Sequence, residues 1–183
     1  MSLSIILGPM FSGKSSQLLS IIHKYKAINT PMYIITSIHD KRYTKDAKIV
    51  NHSLESFPAD VAVESLNSIC LNEKFLEASV IIIEEAQFYD DLVPFVLECV
   101  DVFEKTVIVA GLDGDVHRKP FGKILELIPY CDNITKTKAY CKQCSDGTEA
   151  IFTSRREASA LIVDVGGADK YESLCRTHYL AYN

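Results

Sequence analysis

The chain has 183 residues, which suits one domain or one domain with a small attachment, and its 48% hydrophobic content excludes wholesale disorder. The net charge is −5 with no long run of Lys and Arg, which counts against a nucleic-acid-binding protein. No apolar stretch is long enough to span a bilayer, so neither nucleic acid nor a membrane is an expected partner. Met1-Ser2-Leu3-Ser4 passes straight into an apolar run without a basic n-region. A cytoplasmic setting is therefore expected, with the six Cys reduced or metal-bound rather than disulfide-linked.

In chain order, Ser4 to Leu7 reads as a buried strand followed by a Gly-rich turn, and Ser15 to Tyr25 as a helix with Leu18, Leu19, Ile21 and Ile22 at helical spacing. Met32 to Thr36 is a second strand, and Ile38 to Pro58 is polar and irregular, a hairpin or flexible loop. Val63 to Glu77 is expected to be helical, Val80 to Ile83 a third strand, and Leu92 to Phe103 a helix with Pro94 in its first turn, where a missing N–H costs little. Thr106 to Ala110 is a fourth strand. Short apolar runs without alternation, separated by helices, predict an α/β fold with a parallel sheet covered on both faces. After about Pro129 the character changes to short strands and turns, with candidates at Glu149 to Thr153 and Leu161 to Val165 and a turn at Gly166-Gly167. This divides the chain into a nucleotide-binding α/β domain over 1–134 and a small, mainly β domain over 135–183.

Gly8-Pro9-Met10-Phe11-Ser12-Gly13-Lys14-Ser15 fits G-x-x-x-x-G-K-[ST] at every fixed position. Glycines let backbone N–H groups turn toward phosphate oxygens, and the following helix N-terminus adds partial positive charge. In that motif the lysine, here Lys14, bridges the terminal phosphates and the hydroxyl of Ser15 binds Mg²⁺, with Ser16 next in the helix. A strand before and a helix after meet the motif's structural requirement and set it apart from a chance Gly-rich turn.

Val80-Ile81-Ile82-Ile83-Glu84-Glu85 places two carboxylates at the end of an apolar strand. A strand neighbouring the first one ends near the phosphates, where an acid can hold Mg²⁺. Successive side chains of an extended segment point to opposite sides, so the two acids can serve different roles: Glu84 could face the metal while Glu85 faces the acceptor as general base. Alone, the pair would be an ordinary solvated strand end; beside the phosphate loop it reads as functional.

Cys141-Lys142-Gln143-Cys144 and Cys175-Arg176-Thr177-His178 are two C-x-x-ligand pairs with thirty residues between Cys144 and Cys175. Three thiolates and one imidazole make a closed tetrahedral set, so Zn²⁺ bound by Cys141, Cys144, Cys175 and His178 is expected to hold structure rather than activate water. Cys70, Cys99 and Cys131 lie in or beside apolar patterns and read as core fillers.

These constellations, in this order, resemble the zinc-containing (type II) thymidine kinase family over nearly the whole chain. The most specific pieces are the phosphate loop, Glu84-Glu85-Ala86-Gln87-Phe88, Gly111-Leu112-Asp113-Gly114, Arg118-Lys119-Pro120-Phe121 and, between the Cys pairs, Gly166-Gly167-Ala168-Asp169-Lys170-Tyr171. The resemblance implies transfer of the ATP γ-phosphate to the 5′-hydroxyl of thymidine, and of deoxyuridine too. It implies Mg²⁺ as the catalytic ion, dTTP as a feedback inhibitor and a homotetramer. It makes Glu85 the base and Glu84 the metal-side acid, at a position where the family usually has Asp. Asp40-Lys41-Arg42-Tyr43 resembles the family's D-x-R-Y segment, which makes Arg42 a charge stabiliser. The segment between the Cys pairs resembles a lasso loop closing over the nucleoside, with Ile162, Val163, Asp164, Val165 and Gly166 along the base and Tyr171 touching the substrate. Met10, Phe88, Leu112 and Phe121 form the apolar pocket, and Val116 stands where the family often has an aromatic residue.

Two other classes share parts of this pattern. A P-loop ATPase with a nucleic-acid-binding zinc unit lacks support from charge, because no basic strip interleaved with aromatics is present. A guanine-specific switch would carry N-K-x-D, which the chain does not contain.

Overall fold

The computed structural model describes residues 1–39, 47–156 and 166–182. In chain order, β1 (Ser2–Leu7) leads through the Gly-rich turn into α1 (Lys14–Ala27) and β2 (Met32–Ser37). A short hairpin of β3 (Lys48–Val50) and β4 (Ser56–Pro58) precedes β5 (Val61–Val63), α2 (Glu73–Glu77), β6 (Val80–Ile83), α3 (Leu92–Leu97), β7 (Thr106–Gly111) and β8 (Asn133–Lys136). The small strands β9 (Ala139–Tyr140), β10 (Glu149–Ala150), β11 (Phe152–Arg155) and β12 (Tyr171–Leu174) follow, then α4 (Arg176–Tyr182).

Six of these strands form one sheet in the order β5-β2-β6-β7-β1-β8, and every pairing in it is parallel. The continuous apolar runs are explained by burial on both faces. Ile81 and Ile83 of β6 belong to the core beneath α2 and α3, with Ile5, Tyr33, Phe75 and Phe95. Val80 and Ile82 belong to the core beneath α1, with Leu18, Leu19 and Ile22.

Two expected helices differ in detail. The segment Val63 to Glu77 is the end of β5, a 3₁₀ turn at Leu66–Ile69 and the single-turn α2. Polar side chains punctuate it: the Asp91 carboxylate accepts from the Ser65 hydroxyl (2.6 Å) and the Asn67 amide (2.9 Å), and Asn72 caps α2 by accepting from the Phe75 amide. Leu66, Ile69 and Phe75 are nonetheless buried, so the apolar spacing marked the core-facing residues and not a continuous helix. From Leu92 the chain forms α3, with Pro94 in its first turn, and then widens into a π-helical turn over Glu98–Val102.

Within the irregular segment, β3 and β4 pair as an antiparallel hairpin, while 40–46 lie outside the described residues. The expected strand at Glu149 to Thr153 is divided between β10 and β11, and the one at Leu161 to Val165 lies outside the described residues. Beyond β8, β9 pairs with β10 and β11 with β12, both antiparallel. No described helix is long and apolar enough to cross a membrane.

Candidate active site

The Gly-rich turn leaves the C-terminal end of β1, as parallel topology requires of a loop feeding a helix. Gly8 has φ 153°, and a Cβ there would fall 2.3 Å from Thr137 Oγ1, so only glycine fits this approach. Polar side chains hold the loop from outside. The Thr137 hydroxyl donates to the Leu7 carbonyl (2.9 Å) and lies 2.7 Å from the Ser12 hydroxyl. The Met10 amide donates to Thr153 Oγ1 (3.0 Å), tying the turn to β11. The Lys14 ammonium reaches back to the Pro9 carbonyl (2.7 Å), which places a cation over the mouth of the loop. Ser15 and Ser16 follow in the first turn of α1.

The acidic pair follows β6, which is separated from β1 by β7 rather than adjacent to it. Both carboxylates are buried, Glu84 at 3% and Glu85 at 7% exposure. The expected alternation of an extended segment does not hold at Glu85: its backbone is left-handed (φ 52°), a conformation costly for a non-glycine residue. That twist starts the 3₁₀ turn Ala86–Phe88 and aims Glu85 into the cleft of the Gly-rich loop. Gln87 clamps it, donating its side-chain amide to Glu85 Oε2 and accepting the Leu112 amide at Oε1 (3.0 Å). Burial and then the nearby charges of Glu85 and Glu84 push the Tyr89 phenol above its ordinary pKa, so its hydroxyl stays protonated.

Met10, Lys14, Ser15, His52, Glu85 and Leu112 line one cleft. Phe88 and Phe121 pack edge to face at 5.8 Å. They meet because Gly122 has φ 60° and lies so close to the Gln87 carbonyl that a Cβ would be 2.1 Å from its oxygen. Tyr171 is buried at the start of β12, where its hydroxyl accepts from the Arg155 guanidinium (3.2 Å). Gly166 lies over the Lys170 side chain, and the carbonyl of Gly167 accepts the Lys170 and Tyr171 amides. Arg42, Ile162, Val163, Asp164 and Val165 lie outside the described residues.

Four contributors have no role assigned from the sequence. Asn51, 5% exposed, accepts the Ser53 and Glu55 amides at Oδ1 and donates to Ser16 Oγ (3.2 Å), which docks the β3–β4 hairpin on α1. His52 then packs on Phe11 with ring centroids 4.6 Å apart and lines the cleft. Gln87 and Thr153 support the site from other elements. Gln87 sits inside a family segment, but residue type alone does not reveal its grip on Glu85. For Asn51 and His52, the Asn-His-Ser turn signal at the hairpin tip is the one available hint.

Cys141, Cys144, Cys175 and His178 come together with all four ligand atoms within 4.8 Å of one another. Tetrahedral zinc with bonds of about 2.3 Å to sulfur and 2.0–2.1 Å to nitrogen sets ligand separations of roughly 3.6–3.8 Å. Here the Cys144 and Cys175 sulfurs are 3.9 Å apart, and His178 Nδ1 lies 3.3–3.5 Å from the three sulfurs. Burial opposes ionisation of Cys141, but the backbone N–H groups of Cys175, Cys144 and Gln143 turn toward its sulfur and lower its pKa to about 6. The donor set and its spacing fit a structural zinc ion. Cys99, by contrast, is pushed up to about 12, first by burial, as befits a core thiol.

The family model described as thymidine kinase matches residues 1–179. A thymidine kinase of Yaba monkey tumor virus is 40% identical, over 98% of this chain and 94% of its own. Thymidine kinase a of Arabidopsis thaliana is 38% identical over 96% of this chain and 74% of its own. The cytosolic thymidine kinase of Homo sapiens is also 38% identical, over 97% of this chain and 72% of its own.

Proposed function

The chain belongs to the thymidine kinase family, and from this we propose that it moves the γ-phosphoryl group of ATP to the 5′-hydroxyl of thymidine. The observation that carries the reading is the convergence of Lys14, Ser15, Glu85 and Leu112 on one cleft. Glu85 acts as general base in this reading, supported by its burial, by the left-handed backbone that aims it into the cleft and by the Gln87 hydrogen bond that holds its carboxylate, since a base must lie within hydrogen-bond reach of the proton it takes. Lys14 swings from the Pro9 carbonyl to the terminal phosphates, and phosphoryl transfer is then mostly positioning and neutralisation of charge. Ser15 and Glu84 would hold Mg²⁺, which supplies charge neutralisation on the phosphates. Arg42 adds a second cation by family resemblance.

Met10, Leu112, Phe88 and Phe121 form the apolar side of the nucleoside pocket. Tyr171 and Gly166, with Ile162, Val163, Asp164 and Val165, cover the base from the lasso. The chain divides into a P-loop sheet, 1–134, and a Cys/His unit, 135–183, with β8 stitching the junction to the sheet edge through Lys136. Use of deoxyuridine, dTTP feedback inhibition, a homotetramer and a cytosolic site of action rest on the family and on the name of the human relative.

The test is transfer of labelled phosphate from ATP to thymidine, with deoxyuridine, deoxycytidine and deoxyguanosine alongside. Thymidine monophosphate as the main product is expected; ATP hydrolysis stimulated by DNA with no nucleoside product would overturn the reading. Glu85→Gln should lower kcat at least about 100-fold with the fold intact, as loss of a general base does. Near-normal turnover in that variant would remove the base assignment.

A further inference from the structure

The loop from Leu112 to Phe121 carries two residues of the proposed nucleoside pocket, and it is held by the Cys/His unit. The loop is a tight excursion: Gly114 bridges Pro120, the Phe121 amide donates to the Asp113 carbonyl, and Asp115 Oδ1 accepts the His117 (2.8 Å) and Lys119 (2.9 Å) amides. Its tip is strained, with Arg118 at φ 63°. The base of the loop is tied by the Lys136–Asp113 ion pair (2.7 Å) and by Gln87 at the Leu112 amide, and its tip is held from outside by Tyr179. This tyrosine is 4% exposed and donates its hydroxyl to the Val116 carbonyl at 2.6 Å, 63 residues away.

An aromatic and cationic stack reinforces the contact. The Arg118 guanidinium lies 4.8 Å from the Tyr179 ring centroid and 5.6 Å from that of Phe152. The two rings are 5.0 Å apart, and the Arg176 guanidinium also sits 5.0 Å from the Phe152 centroid. Tyr179 directly follows His178 of the cluster, and its amide donates to the carbonyl of Cys175 (2.9 Å), another member. Whatever fixes the first turn of α4 therefore fixes Tyr179. Thr153, next to Phe152, accepts the Met10 amide, so the same stack is linked to the other wall of the cleft.

The geometry points to Tyr179 as a positioning residue that ties the 112–121 loop to the Cys/His cluster and so sets the nucleoside wall. The inference rests on the kinase reading for its kinetic consequence alone; the structural tie stands apart from it. Tyr179→Phe removes the hydroxyl and keeps the ring in its packed place. With the metal retained, the variant should raise the nucleoside KM roughly tenfold, the scale of one lost buried hydrogen bond, and leave the ATP KM and kcat within about twofold. Hydrogen exchange of a 113–121 peptide should quicken in the variant with metal content unchanged, while exchange in β6 and β7 stays as in the wild type. Arg118→Gln, which removes the stack from the exposed side, should shift the same two readouts in the same direction. Unchanged exchange in the loop of Tyr179→Phe overturns the tie, and so does an equal rise in both KM values or loss of metal. If the wild type makes no nucleotide, the kinase reading fails and exchange alone decides the tie.

Discussion

The parallel sheet buries branched side chains on both its faces, whereas the Cys/His unit encloses only a small cluster among the described residues: Ala139, Cys141, Ala150, Leu174, Cys175 and Tyr179. Two of those, Cys141 and Cys175, belong to the candidate zinc set. The sheet can draw on roughly 25 cal/mol per Å² of buried apolar surface over many residues. The small unit has two-stranded pairings, which are marginal alone in water. The halves thus differ in the source of their order: burial for the sheet, and four ligand bonds for the small unit in its zinc-bound form. The two are joined beside the candidate site, because Met10 of the Gly-rich loop and Val116 of the 112–121 loop are both hydrogen-bonded to residues of the Cys/His unit.

The largest effect expected from this contrast is that of metal removal. Structural zinc is worth on the order of 10 kcal/mol in small zinc-dependent folds. Chelation should therefore release β9 to β12 while β1, β6 and β7 keep their amide protection, as read by hydrogen exchange. Loss of protection in all of them at one chelator concentration would make the molecule a single cooperative unit and break the contrast.

The complementary change is Ile82→Ala in the centre of the sheet. Ile82 is fully buried against α1, and truncating such a side chain costs about 2–5 kcal/mol, set by how far the site collapses. Urea unfolding should show that loss with metal content unchanged. A cost below about 1 kcal/mol would mean the sheet does not depend on its apolar faces as argued.

Much of this was legible in the sequence because its strongest signals are chemical. Eight residues marked the Gly-rich turn that joins β1 to α1, and two C-x-x pairs supplied the four Cys and His side chains that the fold brings within 4.8 Å. Apolar runs marked β1, β2, β6 and β7 because a strand covered on both faces has no alternation to lose. What stayed hidden depends on contacts between distant residues. Val63 to Glu77 has apolar spacing close to a helix, yet Asp91, more than twenty residues on, captures Ser65 and Asn67 and turns the chain. Asn51, Gln87 and Thr153 support the site through single hydrogen bonds that leave no periodic trace. Glu85 was found as an acid at a strand end, but its left-handed backbone, which aims it, has no signature in the residue type.

The Asp91 tie gives the smallest effect and the sharpest view of polar contributions inside the apolar half. Burial works to raise its carboxyl pKa, but hydrogen bonds from the Ser65 hydroxyl and the Asn67 and Leu66 amides outweigh it and hold the group below the ordinary carboxylate value. A depressed folded pKa means the folded state prefers the ionised form. Its contribution is fully present above the unfolded value near pH 4 and is lost as pH falls through the folded one. Asp91→Ala should thus cost about 1 kcal/mol near neutrality, as loss of a capping side chain does, and the gap to wild type should narrow in acid. Urea unfolding at about pH 6.5 and about pH 3 reads both, the two values bracketing the unfolded carboxylate range. A gap that stays constant across that interval would assign the stabilisation to packing around residue 91 instead of to its charge, and would leave the sheet half with no polar tie of consequence between Ser65 and α3.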